Sequence, residues 1–368
     1  MKLLIDAHKF GEKHEGTSTY LAGMYHALMV LHPEWEYVFV GTHQNAMQTV
    51  FGQRPNVHYR LLKSHNRFWR MLVEMPRMLR EERPDFAHFQ YISPLWTATS
   101  CIVTTHDILF EEARFQAYFP KTYRLINGFL FRRSAIKARI LCTVSAYSKA
   151  KIATHYGKDP DHIVVTPNAV QKPSNDGAPS NALLEAYGLD RFLLLVSRIE
   201  PRKNHLALYR SFVDLGLRAQ GFKLVLIGKS EWQSAETLAF LATHKAELEG
   251  VVIHIQDLEL SQLEAFYRAA EVFVYPSIAE GFGIPPLEAA VCGTKVVCSN
   301  ATAMKDFDFF PYHVDPSDQQ ALNRAIQQAL DDQHYDHQGL KELVLARYQW
   351  SRSAQILASA ITTSHGQA

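Results

Sequence analysis

Two carboxylates in the C-terminal half of the chain, Glu280 and Glu288, lie close enough in sequence to belong to one ligand-binding site. Glu280 lies in a glycine-rich turn after an apolar, strand-like run, Val272–Tyr275. Glu288 lies in the first turn of a predicted helix that opens with two prolines, and proline is favoured at helix starts. Open α/β sheets bind ligands at the carboxyl ends of their strands, so the pattern predicts a binding site. The alternative is two acids that the positive end of a helix stabilises without any ligand.

Two cations, Arg198 and Lys203, follow another apolar run, Phe192–Val196, in the sequence S-R-I-E-P-R-K-N. From a strand end they could hold a diphosphate, the arginine through a forked pair of hydrogen bonds and the lysine as a point charge. In a closed site both would stabilise the charge that develops on a departing diphosphate. Composition alone favours the other interpretation, two solvated surface cations.

The N-terminal half offers two weaker candidates. Gly16 and Thr17 precede a helix-spaced segment, so their main-chain N–H groups could face a phosphate. An ordinary Thr or Ser N-cap explains the same residues. His106 follows the apolar run Ile102–Thr104 and is therefore predicted at the carboxyl edge of a sheet. A single histidine is more often structural, and Asp107 beside it could orient either the loop or the imidazole.

Short apolar runs alternate with helical spacing along the whole chain, which predicts an α/β fold with largely parallel, doubly wound sheets. The first series of predicted strands is Leu3–Ile5, Tyr37–Val40, Val57–Leu61, Phe86–Phe89, Ile102–Thr104, Ile140–Val144 and Ile163–Val165. The second series is Phe192–Val196, Lys223–Ile227, Val251–Ile255, Val272–Tyr275, Lys295–Cys298 and His313–Val314. Between them, the sequence Q-K-P-S-N-D-G-A-P-S-N is typical of a linker.

This pattern predicts two Rossmann-like domains, residues 1–172 and 189–350, joined by a linker at 173–188. Two such domains would face each other across a cleft, which is a favoured position for a ligand. A final helix is predicted after Trp350, over residues 351–368.

Charge is distributed unevenly along the chain. The 368 residues carry a formal charge of only +1, but residues 1–170 hold 21 Lys and Arg against 14 Asp and Glu, and the remainder holds 38 − 21 = 17 against 37 − 14 = 23. A basic N-terminal half suggests an anionic partner, although chance surface charge fits equally well.

The four cysteines lie in or beside apolar runs without C-x-x-C spacing, so we expect reduced, buried thiols in a cytoplasmic protein. We expect no signal peptide, because the N-terminal sequence becomes polar after five residues, and no run of apolar residues is long enough to span a membrane.

The sequence S-x-x-E-G-F-G-x-P-x-L-E-A, which begins at Ser277 and contains both acids, resembles the donor-site motif of retaining GT-B glycosyltransferases of family 4. The R-x-x-x-x-K-N pattern from Arg198 and the V-T-T-H-D-I-L-F pattern around His106 resemble motifs of the same family. At the first loop only Gly16 and Tyr20 match the family's G-G-x-G-x-Y sequence. The resemblance extends from Leu3 to the helix after Trp350.

The resemblance implies a GT-B fold whose last helix crosses back to the N-terminal domain. It implies that Glu288 binds the ribose hydroxyls of a nucleotide sugar and that Arg198 and Lys203 stabilise the departing diphosphate. His106 would line the reaction centre. The remaining expected donor contacts are Gly16, Thr17, Glu280, Gly281, Phe282, Gly283 and Ile284.

The resemblance further implies transfer of a hexose, with mannose from GDP-mannose as the preferred donor, to a glycan or lipid-linked saccharide. A UDP-sugar enzyme on the same fold and a non-catalytic sugar-nucleotide-binding protein are the alternatives. No cofactor, metal or nucleic acid is expected, and the D-x-D sequence at Asp306 is interpreted as a surface loop. Two basic, aromatic segments, residues 60–83 and 123–139, are either ordinary helices with charged outer faces or surfaces that lie peripherally on an anionic bilayer.

Overall fold

A computed structural model describes residues 1–11, 16–64, 66–173, 181–256 and 258–366 of the chain. The chain divides into two compact units. Unit 1 contains Met1–Ala169 and Gln349–Ala368, and unit 2 contains Val170–Tyr348. Val170 and Tyr348 are the first and last residues of unit 2, and the N–H of Val170 donates to the carbonyl of Tyr348 (3.3 Å). The first unit thus ends three residues before the predicted boundary.

Unit 1 is built on a parallel sheet whose central strands are almost entirely buried, as expected when helices cover both faces of a sheet. In the described residues the strand order is β3-β2-β1-β4-β5-β6-β7. The strands are β1 (Lys2–Asp6), β2 (Glu36–Gly41), β3 (Val57–Leu61), β4 (Phe86–Gln90), β5 (Ser100–Thr104), β6 (Ile140–Thr143) and β7 (Ile163–Val165). Each predicted strand of this half is present, within one or two residues at its ends.

The helices of unit 1 alternate with these strands. They are α1 (Gly16–Leu31), α2 (Gln44–Phe51), α3 (Arg67–Trp69), α4 (Met75–Glu82), α5 (Lys121–Lys137) and α6 (Ala146–Tyr156). A π-helical segment, Arg70–Glu74, joins α3 to α4, and Asn66 caps α3 by accepting from the N–H groups of Phe68 and Trp69. An asparagine cap of this kind satisfies two of the N–H groups that a helix start leaves without partners.

Unit 2 repeats the architecture with the strand order β10-β9-β8-β11-β12-β13, again fully parallel in the described residues. The strands are β8 (Arg191–Val196), β9 (Phe222–Ile227), β10 (Val252–Ile255), β11 (Val272–Tyr275), β12 (Lys295–Ser299) and β13 (Tyr312–Val314). The helices are α7 (Asn181–Ala186), α8 (His205–Asp214), α9 (Ala235–Thr243), α10 (Lys245–Leu248), α11 (Leu260–Ala269), α12 (Ile284–Val291), α13 (Gln319–Asp331) and α14 (His337–Arg347). The predicted α/β class with two parallel, Rossmann-like sheets is confirmed.

The predicted linker is partly wrong. Residues 174–180 lie outside the described residues, but α7 occupies the second half of the stretch. Its sequence N-A-L-L-E-A consists mostly of strong helix formers, whose propensity prevails over the Pro- and Ser-rich composition just before it.

The final helix, α15 (Trp350–His365), packs within unit 1. The Trp350 ring lies against α1, and a Cβ at Gly23 would come within 2.1 Å of that ring. The Ser353 hydroxyl donates to the carbonyl of Pro167 (2.7 Å). The Arg139 guanidinium donates to the Ser364 hydroxyl (2.8 Å), so both ends of the helix are tied to this unit. No described helix has the length and apolar character needed to cross a bilayer.

Each sheet has one point where its strand order reverses, between β1 and β4 in unit 1 and between β8 and β11 in unit 2. Connections diverge at such a point, so the carboxyl ends of the two strands border an open crevice where ligands bind. The sequence-predicted site residues follow these strands or their neighbours.

Candidate active site

The turn between β11 and α12 places Glu280 in a dense network of donors, with 8% of the residue exposed. Its Oε1 accepts from the Lys203 ammonium (2.6 Å), the Ser277 hydroxyl (2.7 Å) and the Tyr275 hydroxyl (3.0 Å). Lys203 Nζ also donates to the Tyr275 hydroxyl (3.1 Å). The structure therefore brings together two of the predicted site residues, Lys203 and Glu280, which are 77 positions apart in sequence.

Sequence reasoning missed a second cation in this cluster, Arg202. Its Nη1 donates to Glu280 Oε2 (3.2 Å) and to the carbonyl of Ala279, and its Nη2 donates to Glu200 Oε1 (2.5 Å). Arg202 and Lys203 lie together on the 3-10 turn Pro201–Lys203 that follows β8. The adjacent Arg202 and Lys203 in the sequence could have indicated that both cations belong to this cluster. The cluster as a whole holds two cations against two carboxylates.

The two cations keep Glu280 ionised. Burial acts to raise the pKa of this carboxyl, but the charges of Lys203 and Arg202 outweigh it and lower the pKa to about 2. A carboxylate that is buried, paired and hydrogen-bonded in this way fixes the positions of its partners. Glu280 thus holds the Lys203 ammonium at the carboxyl edge of the sheet.

Arg198 does not join this cluster. Its side chain is 55% exposed and lies 3.9 Å from Glu231. The adjacent backbone is tightly packed, because a Cβ at Gly228 would come within 2.2 Å of the Ser197 carbonyl oxygen. Gly228 also has φ +138°, a conformation that favours glycine. The end of β9 therefore approaches the Ser197–Arg198 turn closely, while the guanidinium itself extends into solvent.

The predicted second acid, Glu288, lies on α12 apart from the Glu280 cluster. Its Oε2 accepts from the Tyr267 hydroxyl of α11 (2.9 Å), which is its hydrogen-bond partner in the described part of the chain. Burial raises the pKa of Glu288, Glu264 adds to that effect, and the Tyr267 hydrogen bond opposes it. This carboxylate has further lone pairs for hydroxyl donors.

The turn that carries Glu280 is mostly buried. The main-chain N–H of Glu280 donates to the Thr302 hydroxyl (2.8 Å). Gly283 has φ +100°, and a Cβ there would come within 2.9 Å of the Met304 side chain, so only glycine fits. Phe282 packs edge-on against Phe307. The four predicted donor contacts of this turn are buried or half-buried: Gly281, Phe282, Gly283 and Ile284.

Unit 1 presents a different kind of site around His106, which is 7% exposed. Its Nε2 lies 2.6 Å from Gln90 Oε1, and Gln90 Nε2 lies 3.3 Å from His88 Nε2. His88 Nδ1 lies 2.7 Å from the Tyr25 hydroxyl. Burial lowers the pKa of both histidines to about 3. His106 is consequently neutral at neutral pH, and Gln90 selects the tautomer with the proton on Nε2.

Tyr20 completes this network from α1. Its ring stands edge-on to His106, with centroids 5.0 Å apart, and its hydroxyl lies 2.7 Å from the Thr166 hydroxyl. Thr104 Oγ1 contacts His88 Nε2 (2.8 Å). Asp107 accepts from the N–H of Leu109 (3.2 Å), so it contributes to the shape of the loop after β5. These contacts were outside the reach of sequence reasoning, which had singled out only the histidine and the aspartate.

The N-terminus of α1 is exposed at Gly16, and open space lies where a Cβ would be. The hydroxyls of Thr17 and Ser18 are buried and have no hydrogen-bond partner in the ranges that the structure describes. Glu15, which replaces a family glycine, lies outside those ranges. Asp306 and Asp308 are exposed, and no group of three or more His, Cys, Asp or Glu among the described residues could hold a metal ion.

Comparison with known proteins identifies the family of the chain. A family model described as glycosyl transferases group 1 matches residues 184–342, and one described as Glycosyltransferase Family 4 matches residues 16–172. An O-antigen chain mannosyltransferase B of Escherichia coli is 29% identical over 292 residues, 75% of this chain and 74% of that protein. A serotype-specific mannosyltransferase WbdA of E. coli is 32% identical over 187 residues, 49% of this chain but 23% of that protein.

Two solved structures share the fold at low sequence identity. Sucrose-phosphate synthase from Thermosynechococcus elongatus is 19% identical, with a TM-score of 0.76 over 100% of both chains. Anabaena HepE, solved in complex with UDP-glucose, is 16% identical, with a TM-score of 0.73 over 99% of this chain and 100% of that one. The chain is a glycosyltransferase, and it belongs to the family-4 glycosyltransferases of the GT-B fold.

Proposed function

We propose that this chain transfers a mannosyl group from GDP-mannose to a glycan or lipid-linked saccharide hydroxyl during polysaccharide assembly. The observation that supports this best is the similarity to an O-antigen chain mannosyltransferase, which extends over three quarters of both sequences. The E-P-R-K-N form of the motif at residues 200–204 and the T-H-D-I sequence at 105–108 favour the same donor.

The Lys203 ammonium is the proposed contact for the donor diphosphate. Glu280 and Tyr275 hold it in place, so little reorganisation is needed when the nucleotide binds. Since the cluster of two cations and two carboxylates has no excess positive charge, a diphosphate needs a further cation. The exposed Arg198 guanidinium, which has only a 3.9 Å ion pair to leave, is the proposed second contact.

Glu288 is proposed to accept the two ribose hydroxyls of the nucleotide. A carboxylate offers about four lone-pair positions, of which Tyr267 uses one in this structure. The turn from Gly281 to Ile284, at the N-terminus of α12, is proposed to bind the sugar and diphosphate. Gly16 and Thr17, at the N-terminus of α1, are proposed as further donor contacts. Helix N-termini favour such anions through their main-chain N–H groups.

His106 is proposed to line the reaction centre as a neutral hydrogen-bonding group. A pKa of about 3 leaves the imidazole uncharged at neutral pH, so His106 has no imidazolium proton to donate as a general acid. The proposed reaction retains the anomeric configuration. The bond between the sugar C1 and the diphosphate oxygen breaks, the acceptor oxygen bonds to C1 on the same face, and the hydroxyl proton passes to the departing phosphate. No protein nucleophile is assigned.

The proposal includes peripheral contact with the cytoplasmic face of a membrane. Large apolar side chains of α3 and α5 are exposed, with exposed fractions of 60% for Phe68, 55% for Trp69 and 67% for Phe129. α5 contains five basic residues and no acidic one. Apolar side chains surrounded by Lys and Arg are typical of surfaces that bind anionic bilayers.

The test is a transfer assay with the full chain, mannose-containing oligosaccharides as acceptors, and either GDP-mannose or UDP-glucose as donor. We expect GDP release and an elongated product whose new linkage has the same anomeric configuration as the donor. Product formation from UDP-glucose alone would overturn the donor assignment. That outcome would favour the second candidate, a UDP-sugar enzyme, for which the fold shared with a UDP-glucose complex of HepE is the supporting observation.

A further inference from the structure

Three arginines of unit 1 have no role in the site described above. Arg67 lies on α3 and Arg70 begins the π-helical segment one turn later. Arg67 Nη2 donates to Asn127 Oδ1 of α5 (2.9 Å). Arg124 precedes Asn127 by three residues on that helix, so the two side chains lie on the same face. The contact at Asn127 therefore brings all three arginines to one junction between α3 and α5.

Two of these arginines have a buried Nε without an acceptor among the described residues. Arg70 is 9% exposed, and its Nε is buried without a hydrogen-bond partner in the part of the chain that the structure describes. The Nε of Arg124 is in the same condition. A buried N–H of a charged group normally has an acceptor, because leaving it without one costs more than the bond itself contributes. The junction thus offers donors that no part of the described protein uses.

The two sequence segments that form the junction carry no acidic residue. Burial first, and then the charge of Arg70, lowers the pKa of the Arg67 guanidinium, and Tyr123 acts in the opposite direction. Neither residues 63–73 nor α5 contain an Asp or Glu. The nearest acid in sequence, Glu74, is already bound by the N–H groups of Lys63 and Ser64 (3.0 and 3.2 Å). The segments that carry these arginines therefore supply no carboxylate to pair with them.

One acid does approach Arg70 from the sheet. Asp6 ends β1, and its Oδ1 binds the imidazole Nδ1 of His8 (2.8 Å). Burial acts to raise the pKa of Asp6, but His8 and then Arg70 lower it. This places Arg70 beside the carboxyl end of β1. The adjacent strand β4 ends at Gln90, which binds His106, so the arginines lie along the same sheet edge as His106.

We propose that Arg67, Arg70 and Arg124 bind a phosphate or diphosphate group that the acceptor carries. The word "acceptor" rests on the proposed function, whereas the anion site rests on the arginines alone. Guanidinium groups match phosphate oxygens through paired hydrogen bonds, and three of them exceed what one carboxylate needs. The phosphate can belong to a soluble phosphorylated saccharide or to a lipid-linked one, and the exposed Phe68 and Trp69 beside Arg67 suit the second.

Calorimetry with inorganic pyrophosphate tests the site on the full chain in saturating GDP, which occupies the donor site. We expect wild type to bind pyrophosphate, and Arg67→Met and Arg70→Met each to weaken binding by about tenfold or more, since each removes a charged hydrogen-bond donor. The matched control is Arg77→Met on the neighbouring α4, where the arginine is 71% exposed and already paired with Glu81 (2.6 Å). Arg77→Met should bind pyrophosphate as wild type does.

Failure of wild type to bind pyrophosphate in saturating GDP, or equal binding by Arg67→Met, would overturn the site. GDP binding by each variant, measured alone, must match wild type. If GDP binds normally while pyrophosphate does not, the anion site fails and the proposed function stands. If GDP-mannose is not a substrate while pyrophosphate binds, the reverse holds.

Vesicles distinguish the source of the phosphate. Phosphatidylcholine vesicles with a minor fraction of phosphatidic acid carry a phosphate monoester, and vesicles with the same fraction of phosphatidylglycerol carry only a phosphodiester. Preference for phosphatidic acid that pyrophosphate abolishes, and that Arg67→Met loses, would support the site and indicate a lipid-linked acceptor. Equal binding to both vesicles, together with pyrophosphate binding in solution, would support the site and indicate a soluble phosphorylated acceptor.

Discussion

The polar groups at the carboxyl edges of the two sheets differ in charge. In unit 2, Glu280 is ion-paired with Lys203 and Arg202, and its pKa falls to about 2. In unit 1, His88 and His106 are linked through Gln90 without any ionised group, and the pKa of each histidine falls to about 3. The neighbouring cations thus keep Glu280 charged in spite of its burial, whereas burial keeps His88 and His106 neutral.

This difference in charge indicates which kind of ligand each network would bind. Pre-positioned cations stabilise the charge of a diphosphate as it departs, and they act most strongly where water is excluded. Neutral donors and acceptors recognise hydroxyl groups, because no ionised group there has to lose its hydration. The two sheets thus carry an ionic cluster around Glu280 in unit 2 and a network of neutral side chains around His106 in unit 1.

The largest expected effect comes from removing the central cation of unit 2. Lys203→Met should lower turnover with GDP-mannose by about 10²–10³-fold, because it removes a pre-positioned charge from the departing diphosphate. Glu280 keeps Arg202, Tyr275 and Ser277 as partners, so the variant should fold. Steady-state kinetics measures the effect, with Lys245→Met as the control because Lys245 is 73% exposed. Turnover equal to that of wild type would remove Lys203 from the mechanism.

A smaller loss is expected at the neutral edge. His106→Ala should reduce turnover by about 10–100-fold, as expected when one hydrogen bond to a hydroxyl is lost. Its affinity for GDP should be unchanged, because no ionic contact with the nucleotide is proposed for this residue. Calorimetry with GDP separates the two effects. Weaker GDP binding without a loss of turnover would contradict the assignment of neutral recognition to unit 1.

Gln90→Glu should make the neutral edge ionic. A carboxylate 2.6 Å from His106 Nε2 favours the imidazolium and should raise the pKa of His106. Turnover should then fall by about tenfold at neutral pH and recover as the pH rises, since the imidazole loses its added proton. The imidazole ¹⁵N shifts report the pKa directly. A His106 pKa that stays near 3 in this variant would show that the amide does not control its protonation.

Acid should destabilise both units by different groups. His88 and His106 have pKa values of about 3 when folded, below their ordinary 6.5, so the unfolded chain binds more protons between these values. The free energy of unfolding should therefore fall as the pH drops from 6.5 to 3, by about 1.4 kcal/mol per pH unit for each histidine. In unit 2, His205 acts similarly between 6.5 and about 4, and Glu280 between 4.5 and about 2.

Hydrogen exchange of peptides from each unit measures this at pH 7 and pH 5. Unit 1 should lose more protection because it contains two of the three buried histidines with lowered pKa values among the described residues. Equal loss in both units would contradict the different roles of burial at the two edges.

The sequence predicted the sheets well because buried parallel strands are continuous apolar runs, such as Phe192–Val196. It also predicted Lys203 and Glu280, whose motifs are local. It could not predict that Arg202 rather than Arg198 contacts Glu280, because both arginines follow the same strand and only the fold decides which one turns inward. The same holds for Gln90, since its contact with His106 depends on the pairing of β4 with β5.

The central claim is that the charged cluster of unit 2 binds a nucleoside diphosphate, and specifically GDP. Thermal unfolding of wild type and Lys203→Met with GDP, UDP and ADP tests it most directly, because a ligand that binds only the folded state must raise the Tm. The account predicts a clear rise with GDP, smaller rises with UDP and ADP, and loss of the GDP effect in Lys203→Met. No rise with any of the three nucleotides, or an equal rise in the variant, would contradict it.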